Sequence, residues 1–175
     1  GEGDIAQSER IGTSIVTASV GDSANYFVNS DGTLFVKGLA HRGQYGDGRL
    51  ESSKTFIPVA NDVVTIKAHT GHALLLKQDG TVMGTGGNIY GPLGRHGIGD
   101  KAIFWGKIFK GAKAIATGSS HSLAIRKDGS LWHWGRDIGL DPEKVLDNVV
   151  AAAADQSTSI ALQADNSLWQ WKRGQ

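Results

Sequence analysis

Short runs that alternate large apolar residues with small or polar ones occur in pairs along this chain, and a turn sequence separates the members of each pair. In the third pair, residues 122–126 and 130–134 flank Asp128-Gly129. An Asp-Gly pair favours the tight two-residue turn in which positive φ is required. Side chains alternate between the two faces of a strand, so Trp132 and Trp134 are expected on one face. The pattern predicts a β-hairpin.

This hairpin pattern recurs in four copies. Successive turn sequences lie 48, 49 and 37 residues apart, a period that is typical of repeat architectures. An apolar segment precedes each hairpin, and three connections between copies can supply a fourth, edge strand such as residues 56–59, because Pro58 is tolerated only at an edge. The predicted turns are Asp31-Gly32, Asp79-Gly80, Asp128-Gly129 and Asp165-Asn166, and the preceding apolar segments are residues 15–18, 63–66, 112–115 and 149–152.

Four strands in a repeat of this length are typical of one β-propeller blade. We therefore expect an all-β fold, with a single β-propeller-type domain over residues 1–175 built from about four blades of four strands. The last copy lacks its own fourth strand, and residues 5–11 are expected to complete it. The two ends of the chain lie nearly in register within the repeat, which favours a closed four-bladed ring or a ring of two chains over an arbitrary part of a longer protein.

The third copy resembles the repeat of the regulator of chromosome condensation family. The resemblance rests on residues 118–125 (Gly-Ser-Ser-His-Ser-Leu-Ala-Ile), on residues 131–135 and on the loop at 43–48, and it extends in four copies over nearly the whole chain. It implies a β-propeller, although members of the family usually have more blades than this. The copies depart from the pattern at its histidine, which is present as His72 and His121 and replaced by Ala24 and Thr158. The resemblance implies that His72 and His121 pack between blades and bond to neighbouring backbone.

The composition fits this fold and limits the chemistry. The 25 glycines suit a turn-rich all-β chain, and a net charge of +1 gives no strong attraction to nucleic acid or to an anionic membrane. Without cysteine the chain has no disulfide, thiol nucleophile or cysteine metal site. His69 and His72 lie three residues apart in a turn, with no carboxylate or cysteine placed beside them, so no metal site is predicted.

The sequence does not predict an enzyme or a bound cofactor, since no nucleophile triad or phosphate loop stands in the context that it requires. Tryptophans at repeat positions, namely Trp132, Trp134, Trp169 and Trp171, are expected to fill the blade cores. Binding function is expected instead in the loops that differ between copies, at residues 39–42, 88–96 and 136–140, which a propeller gathers on one face. The candidate partner-binding residues are Tyr45, Tyr90, Arg95, Trp105 and Arg136.

We therefore expect a non-catalytic module for protein–protein interaction or surface adhesion, bacterial and exported, located outside the cell or at its surface. Its partner is expected to be another protein or a surface receptor or glycan, and the chain can form a homodimer. No apolar run reaches membrane-spanning length and no signal peptide is present. The resemblance implies two alternatives, guanine-nucleotide exchange on a small GTPase and inhibition of an enzyme that one propeller face caps.

Overall fold

The computed structural model describes residues 9–174, and these residues form fifteen strands in four antiparallel sheets, here called blades 1 to 4. Blade 1 contains β1 (Ile15–Val20), β2 (Ala24–Asn29), β3 (Leu34–Gly38) and β4 (Ser53–Ala60). Blade 2 contains β5 (Val63–Ala68), β6 (His72–Lys77), β7 (Val82–Gly87) and β8 (Lys101–Phe109). Blade 3 contains β9 (Ala112–Thr117), β10 (His121–Arg126), β11 (Leu131–Gly135) and β12 (Gly139–Leu146). Blade 4 contains β13 (Val149–Ala154), β14 (Thr158–Gln163) and β15 (Leu168–Lys172).

The predicted all-β architecture of propeller blades is confirmed. Each hairpin forms the second and third strands of a blade, the preceding apolar segments form β1, β5, β9 and β13, and Pro58 lies in the edge strand β4. Blade 4 has three strands within the described residues. Most of the segment at residues 5–11, which was expected to supply a fourth, lies outside the described part of the chain, and residues 9–12 are not in a strand.

The hairpin turns differ from the predicted two-residue type. In the first turn, the Gly32 amide donates to Asn29 O at 3.1 Å and the Asn29 amide donates to Thr33 O. These bonds enclose a loop at residues 30–32, which is longer than the predicted one. Within this loop only Gly32 has positive φ, at 86°. This is the three-residue loop with a glycine in the left-handed region. The carboxylate of Asp31 accepts a bond from the Thr33 amide, which stabilises the turn. Hydrogen bonding from the Thr33 side chain first, and from its amide second, holds the pKa of Asp31 below its usual value. The other three turns repeat these bonds, with Asn166 replacing the glycine in the last.

Burial along the strands shows how the blades stack. In β6 and β10 consecutive side chains are buried, whereas in β2 and β14 burial alternates. Alternation means that only one face of a sheet is covered. Blades 2 and 3 are therefore covered on both faces, and blades 1 and 4 on one. We call the face of a blade that points towards the preceding blade its leading face, and the opposite one its trailing face.

Histidine–serine pairs cross two of the three blade junctions. His72 Nε2 lies 3.2 Å from Ser122 Oγ, and His121 Nε2 lies 3.0 Å from Ser159 Oγ. Both histidines are buried between blades, as expected, but their partner across the junction is a side chain rather than backbone. At the first junction the histidine position holds Ala24 and the serine position holds Ala73, so both members of the polar pair are absent together.

The tryptophans differ in how completely the blades cover them. Trp134 is fully buried between blades 2 and 3, stacks on Phe109 with ring centroids 5.9 Å apart, and donates its indole N–H to Pro92 O at 2.8 Å. The core prediction is confirmed for Trp134, whereas Trp132 and Trp171 are half-buried and Trp169 is 49% exposed. The strand position that Phe109 occupies in β8 is held in β12 by the smaller Leu146.

We predict that Trp134→Ala lowers the free energy of unfolding by about 3–5 kcal/mol, because it leaves a cavity between two blades. Trp169→Ala is the matched control, and a smaller loss is expected because half of that side chain is already in solvent. Urea unfolding followed by circular dichroism measures both. Equal losses in the two variants would contradict the assignment of Trp134 to the core.

A pH dependence follows from the buried histidines. Burial lowers the pKa of His72 to about 3 and that of His121 to about 4, from 6.5. Below about pH 6.5 these two histidines are protonated in the unfolded chain but remain neutral in the folded chain. The free energy of unfolding therefore decreases as the pH falls, and the decrease ends below the pKa that each histidine has in the folded chain. We expect the free energy of unfolding to fall between about pH 6.5 and 3, and His121→Gln to make the part of this fall above about pH 4 shallower. Parallel profiles for the two proteins would show that His121 does not contribute.

Candidate protein-binding cleft

The loops that differ between copies lie together at one end of the blades, as expected. Lys101 Nζ donates to His41 O at 3.2 Å, which joins the connection of blade 2 to that of blade 1. The Arg42 side chain lies beside Gly71, where an added Cβ would meet it, and Arg42 and Tyr90 line one small cavity of about 110 Å³. Across the inner ends of the blades, His69 Nε2 lies 3.4 Å from Asp155 Oδ1. The connections of blades 1 and 2 thus form a continuous loop surface, and the contact between His69 and Asp155 joins blade 2 to blade 4.

A cleft of about 790 Å³ opens on this surface between blades 2 and 3. Its walls are the connection at residues 88–100 and the connection at residues 136–138 with the start of β12. The connections of blades 1 and 2 span residues 39–52 and 88–100, whereas that of blade 3 spans only residues 136–138. The cleft is present because the third connection is too short to fill the space beside the second.

The long wall of the cleft is fixed by hydrogen bonds at its base. Asn88 Oδ1 accepts from the Leu93 amide at 3.2 Å, and Asn88 Nδ2 donates to Gly99 O at 3.0 Å. Pro92 O accepts from Trp134 Nε1 at 2.8 Å and from Ser122 Oγ at 2.7 Å, both in blade 3. Leu93 is fully buried. Loop residues next to these anchors, including Tyr90, are therefore held in place before any partner binds.

Arg136 and Tyr90 face each other across the cleft. The guanidinium carbon of Arg136 lies 4.2 Å from the centroid of the Tyr90 ring, within the range of a cation–π contact. Asp137 Oδ2 lies 3.8 Å from Arg136 Nε and 3.3 Å from Arg173 Nε, so one carboxylate is shared by two guanidinium groups. Tyr90 is 48% exposed. The pair offers an ordered aromatic and cationic surface to solvent.

Apolar side chains extend this surface. Ile89 is exposed and lines the cleft, and Leu140 packs against Gly91, where an added Cβ would collide with it. Arg95 also lines the cleft, but its guanidinium lies along the backbone of Gly106 in β8 and is partly covered. The structure therefore brings together Tyr90, Arg95 and Arg136 among the five predicted residues. Sequence reasoning missed Asp137, whose pairing with Arg173 depends on where the last strand ends in space.

Tyr45 and Trp105 lie elsewhere and have structural roles. Tyr45 is fully buried, donates its hydroxyl to Gly38 O at 2.6 Å and accepts from the Ser53 amide at 2.8 Å. Trp105 is half-buried in β8 and packs against Gly46 and the core of blades 1 and 2. The expectation that Tyr45 offers a partner contact does not fit its burial, because its hydroxyl closes the first connection instead. A sequence signal for this burial was available, because residues 42–46 and 90–94 share two glycines at the same spacing. In this alignment Tyr45 corresponds to Leu93, an apolar residue that is fully buried.

The histidines do not form a metal centre in the described residues. His69 and His72 bond in different directions, to Thr70 and Asp155 in one case and to Ser122 in the other. Within residues 9–174 no three histidine, aspartate or glutamate side chains are grouped so that they could hold a metal ion. The described residues also contain no helix that is long and apolar enough to cross a membrane.

Comparisons with known proteins point to one repeat family. The Regulator of chromosome condensation (RCC1) repeat matches residues 112–137, which lie in blade 3. The mouse protein "Regulator of chromosome condensation" is 33% identical over 110 residues, which are 59% of this chain and 26% of that protein. The bovine "Secretion-regulating guanine nucleotide exchange factor" is 30% identical over 129 residues, 69% of this chain and 27% of that protein. The chain thus spans about a quarter of the length of these curated relatives.

A solved structure shows the same fold. Yeast RCC1 (Prp20), determined bound to Kap60, superposes with a TM-score of 0.80 at 20% sequence identity, over 90% of this chain and 43% of that one. The four blades therefore have the arrangement of neighbouring blades in a larger propeller. Together with the repeat in blade 3, this shows a β-propeller fold built from blades that are similar to those of the regulator of chromosome condensation repeat proteins.

Proposed function

We propose that this chain is a non-catalytic protein-binding module whose binding site is the cleft between blades 2 and 3. The observation that carries the proposal is the Arg136–Tyr90 pair, which is ordered and still open to solvent. Tyrosine and arginine are the residues that most often anchor protein interfaces, and groups that are ordered in advance lose less entropy on binding. Ile89 and Leu140 add apolar contact area around the charged pair.

The buried histidines support a role without catalysis. His72 and His121 are paired with serines inside the junctions, where no substrate reaches them, and burial lowers the pKa of both. The cleft itself contains arginines and aspartates that pair with each other, such as Arg136 with Asp137. Such an arrangement is suited to orienting a partner through charge and hydrogen bonds.

Surface adhesion and enzyme inhibition are two forms of this proposal, which differ in the partner that enters the cleft. Guanine-nucleotide exchange on a small GTPase is the second candidate, favoured by the similarity to a guanine nucleotide exchange factor. An exchange factor must displace a bound nucleotide, whereas an adhesion module or inhibitor only binds. This difference separates the candidates by experiment.

We predict that peptides selected on the chain from a phage-displayed library bind in the cleft. Tyr90→Ala and Arg136→Ala should each weaken their binding by about tenfold or more, as expected for interface hot spots. Lys127→Ala is the matched control, because Lys127 is exposed in the turn at the opposite end of blade 3. Biolayer interferometry measures the affinities. Peptides that tolerate both cleft substitutions would contradict the proposed site.

A second assay tests the exchange alternative. Small GTPases loaded with a fluorescent guanine nucleotide are mixed with increasing amounts of the chain, and release of the nucleotide is followed. We expect no acceleration. Release that rises with the concentration of the chain and is lost in Arg136→Ala would replace the binding-only proposal with nucleotide exchange through the same cleft.

A further inference from the structure

A small cavity of about 110 Å³ adjoins the cleft, because Ile89 and Tyr90 line both. We call it the Arg42 cavity. Its other walls come from the connection of blade 1 and from the turns that join the first two strands of blades 2 and 3. The residues that these walls contribute are Arg42, Thr70, Gly71, His72, Ser119 and Ser120, and Gly87 and Pro92 complete the lining. The Arg42 cavity therefore extends the cleft towards blade 1.

The Arg42 side chain reaches this cavity from the blade 1 connection. Its Nη1 and Cδ atoms lie 3.3 Å and 3.8 Å from the place that a Cβ on Gly71 would occupy. The absence of a side chain at position 71 therefore leaves room for Arg42 to lie against the turn of blade 2. This contact holds the guanidinium at the junction of the two blades.

The positive charge of Arg42 is not balanced inside the cavity. Within the described residues the lining contains no aspartate or glutamate. His72 also lines the cavity, but burial lowers its pKa to about 3, so its ring is neutral near pH 7. The wider cleft differs, because Asp100 and Asp137 are among its lining residues. The Arg42 cavity therefore carries a single positive charge.

Arg42 differs in this respect from the arginines around it. Arg49, in the same connection, has its Nη2 atom 3.5 Å from Asp47 Oδ2, and Arg136 Nε lies 3.8 Å from Asp137 Oδ2. Arg42 forms no ion pair with any residue between 9 and 174. Its guanidinium therefore has donors that a carboxylate from another molecule can pair with.

The acidic and hydroxyl groups near the cavity are already arranged around this guanidinium. Asp155 Oδ1 lies 3.4 Å from His69 Nε2, so this nearby carboxylate is directed to a histidine. The hydroxyls of Thr70 and Ser119 also have partners, since Thr70 Oγ1 lies 2.9 Å from His69 Nδ1 and Ser119 Oγ donates to Gln156 O at 2.6 Å. The polar wall is thus ordered by its own contacts and leaves the charge of Arg42 to a ligand.

We infer that the Arg42 cavity binds the carboxylate of an acidic side chain in the partner. The inference rests on the proposed function, because the partner that fills the cleft has to present the acid. A guanidinium and a carboxylate form charge-assisted hydrogen bonds, which are often bidentate. One cation without a second one beside it matches the single charge of a carboxylate rather than the double charge of a phosphate. Because Ile89 is exposed and lines both spaces, an apolar residue is expected next to the acid.

Peptides from the phage-displayed library test this inference. Each displayed peptide is joined to the coat protein through its C-terminus, so only a side chain can supply the acid, and the synthetic peptides carry a C-terminal amide. Replacing one aspartate by asparagine, or one glutamate by glutamine, should weaken binding about tenfold, as should Arg42→Gln in the chain. The two changes together should cost no more than either alone, because both remove the same ion pair.

Arg49→Gln is the matched control, since Arg49 is exposed in the same connection and is paired with Asp47 outside the cavity. It should leave peptide binding unchanged. Arg42 is exposed too, so Arg42→Gln should keep the circular dichroism spectrum of the wild type. Peptides that lose binding in Tyr90→Ala but tolerate Arg42→Gln would overturn this inference and leave the proposed function intact.

Acetate tests the cavity without a peptide, so a result is obtained even where the proposed function fails. The ¹⁵N-labelled chain is titrated with sodium acetate at constant ionic strength, and the backbone amide signals are followed by NMR. Acetate should shift the signals of Gly71 and Ser120, and these shifts should be lost in Arg42→Gln and kept in Arg49→Gln. Acetamide, which has the same shape without the charge, should not produce them. Spectra that acetate leaves unchanged, or shifts that persist in Arg42→Gln, would overturn the inference.

Discussion

The hydrogen bond from the Trp134 indole to Pro92 O connects the core of this protein to its loop surface. The indole fills the space between blades 2 and 3, and the carbonyl that it reaches belongs to the wall of the cleft. Because the same carbonyl also accepts from Ser122, the loop cannot move without leaving buried donors unpaired. The packing that stabilises the second junction thus also fixes the position of Tyr90.

The sequence predicted the parts of the fold that depend on local pattern. Alternation and Asp-Gly turns located the four hairpins, and the position of Pro58 indicated an edge strand, because these signals act within one blade. The turn length was wrong because the side chain of Asp31 accepts a bond from the Thr33 amide, and this favours a longer loop with one left-handed glycine. The partner of each histidine was also wrong, since Ser122 and Ser159 lie on the neighbouring blade and only the stacking brings them near.

The candidate site was predicted in part for a similar reason. The variable loops pointed to Tyr90, Arg95 and Arg136, but the same reasoning included Tyr45, whose hydroxyl bridges Gly38 and Ser53. Exposure of a loop residue depends on whether the loop folds back on its own blade, and composition does not carry that information. The shared carboxylate of Asp137 requires Arg173 from the next blade, so its role appears only in three dimensions.

Because the connection of blade 3 has only three residues, the shape of the cleft depends on loop length as well as on the side chains that line it. β11 and β12 pair along their length although only residues 136–138 join them, so the blade does not need a longer connection in order to form. Surface connections accept insertions and deletions at small energetic cost. A related chain could therefore gain or lose the cleft through a single insertion or deletion at this point, and the geometry of recognition could diverge while the blades that support it keep their sequence.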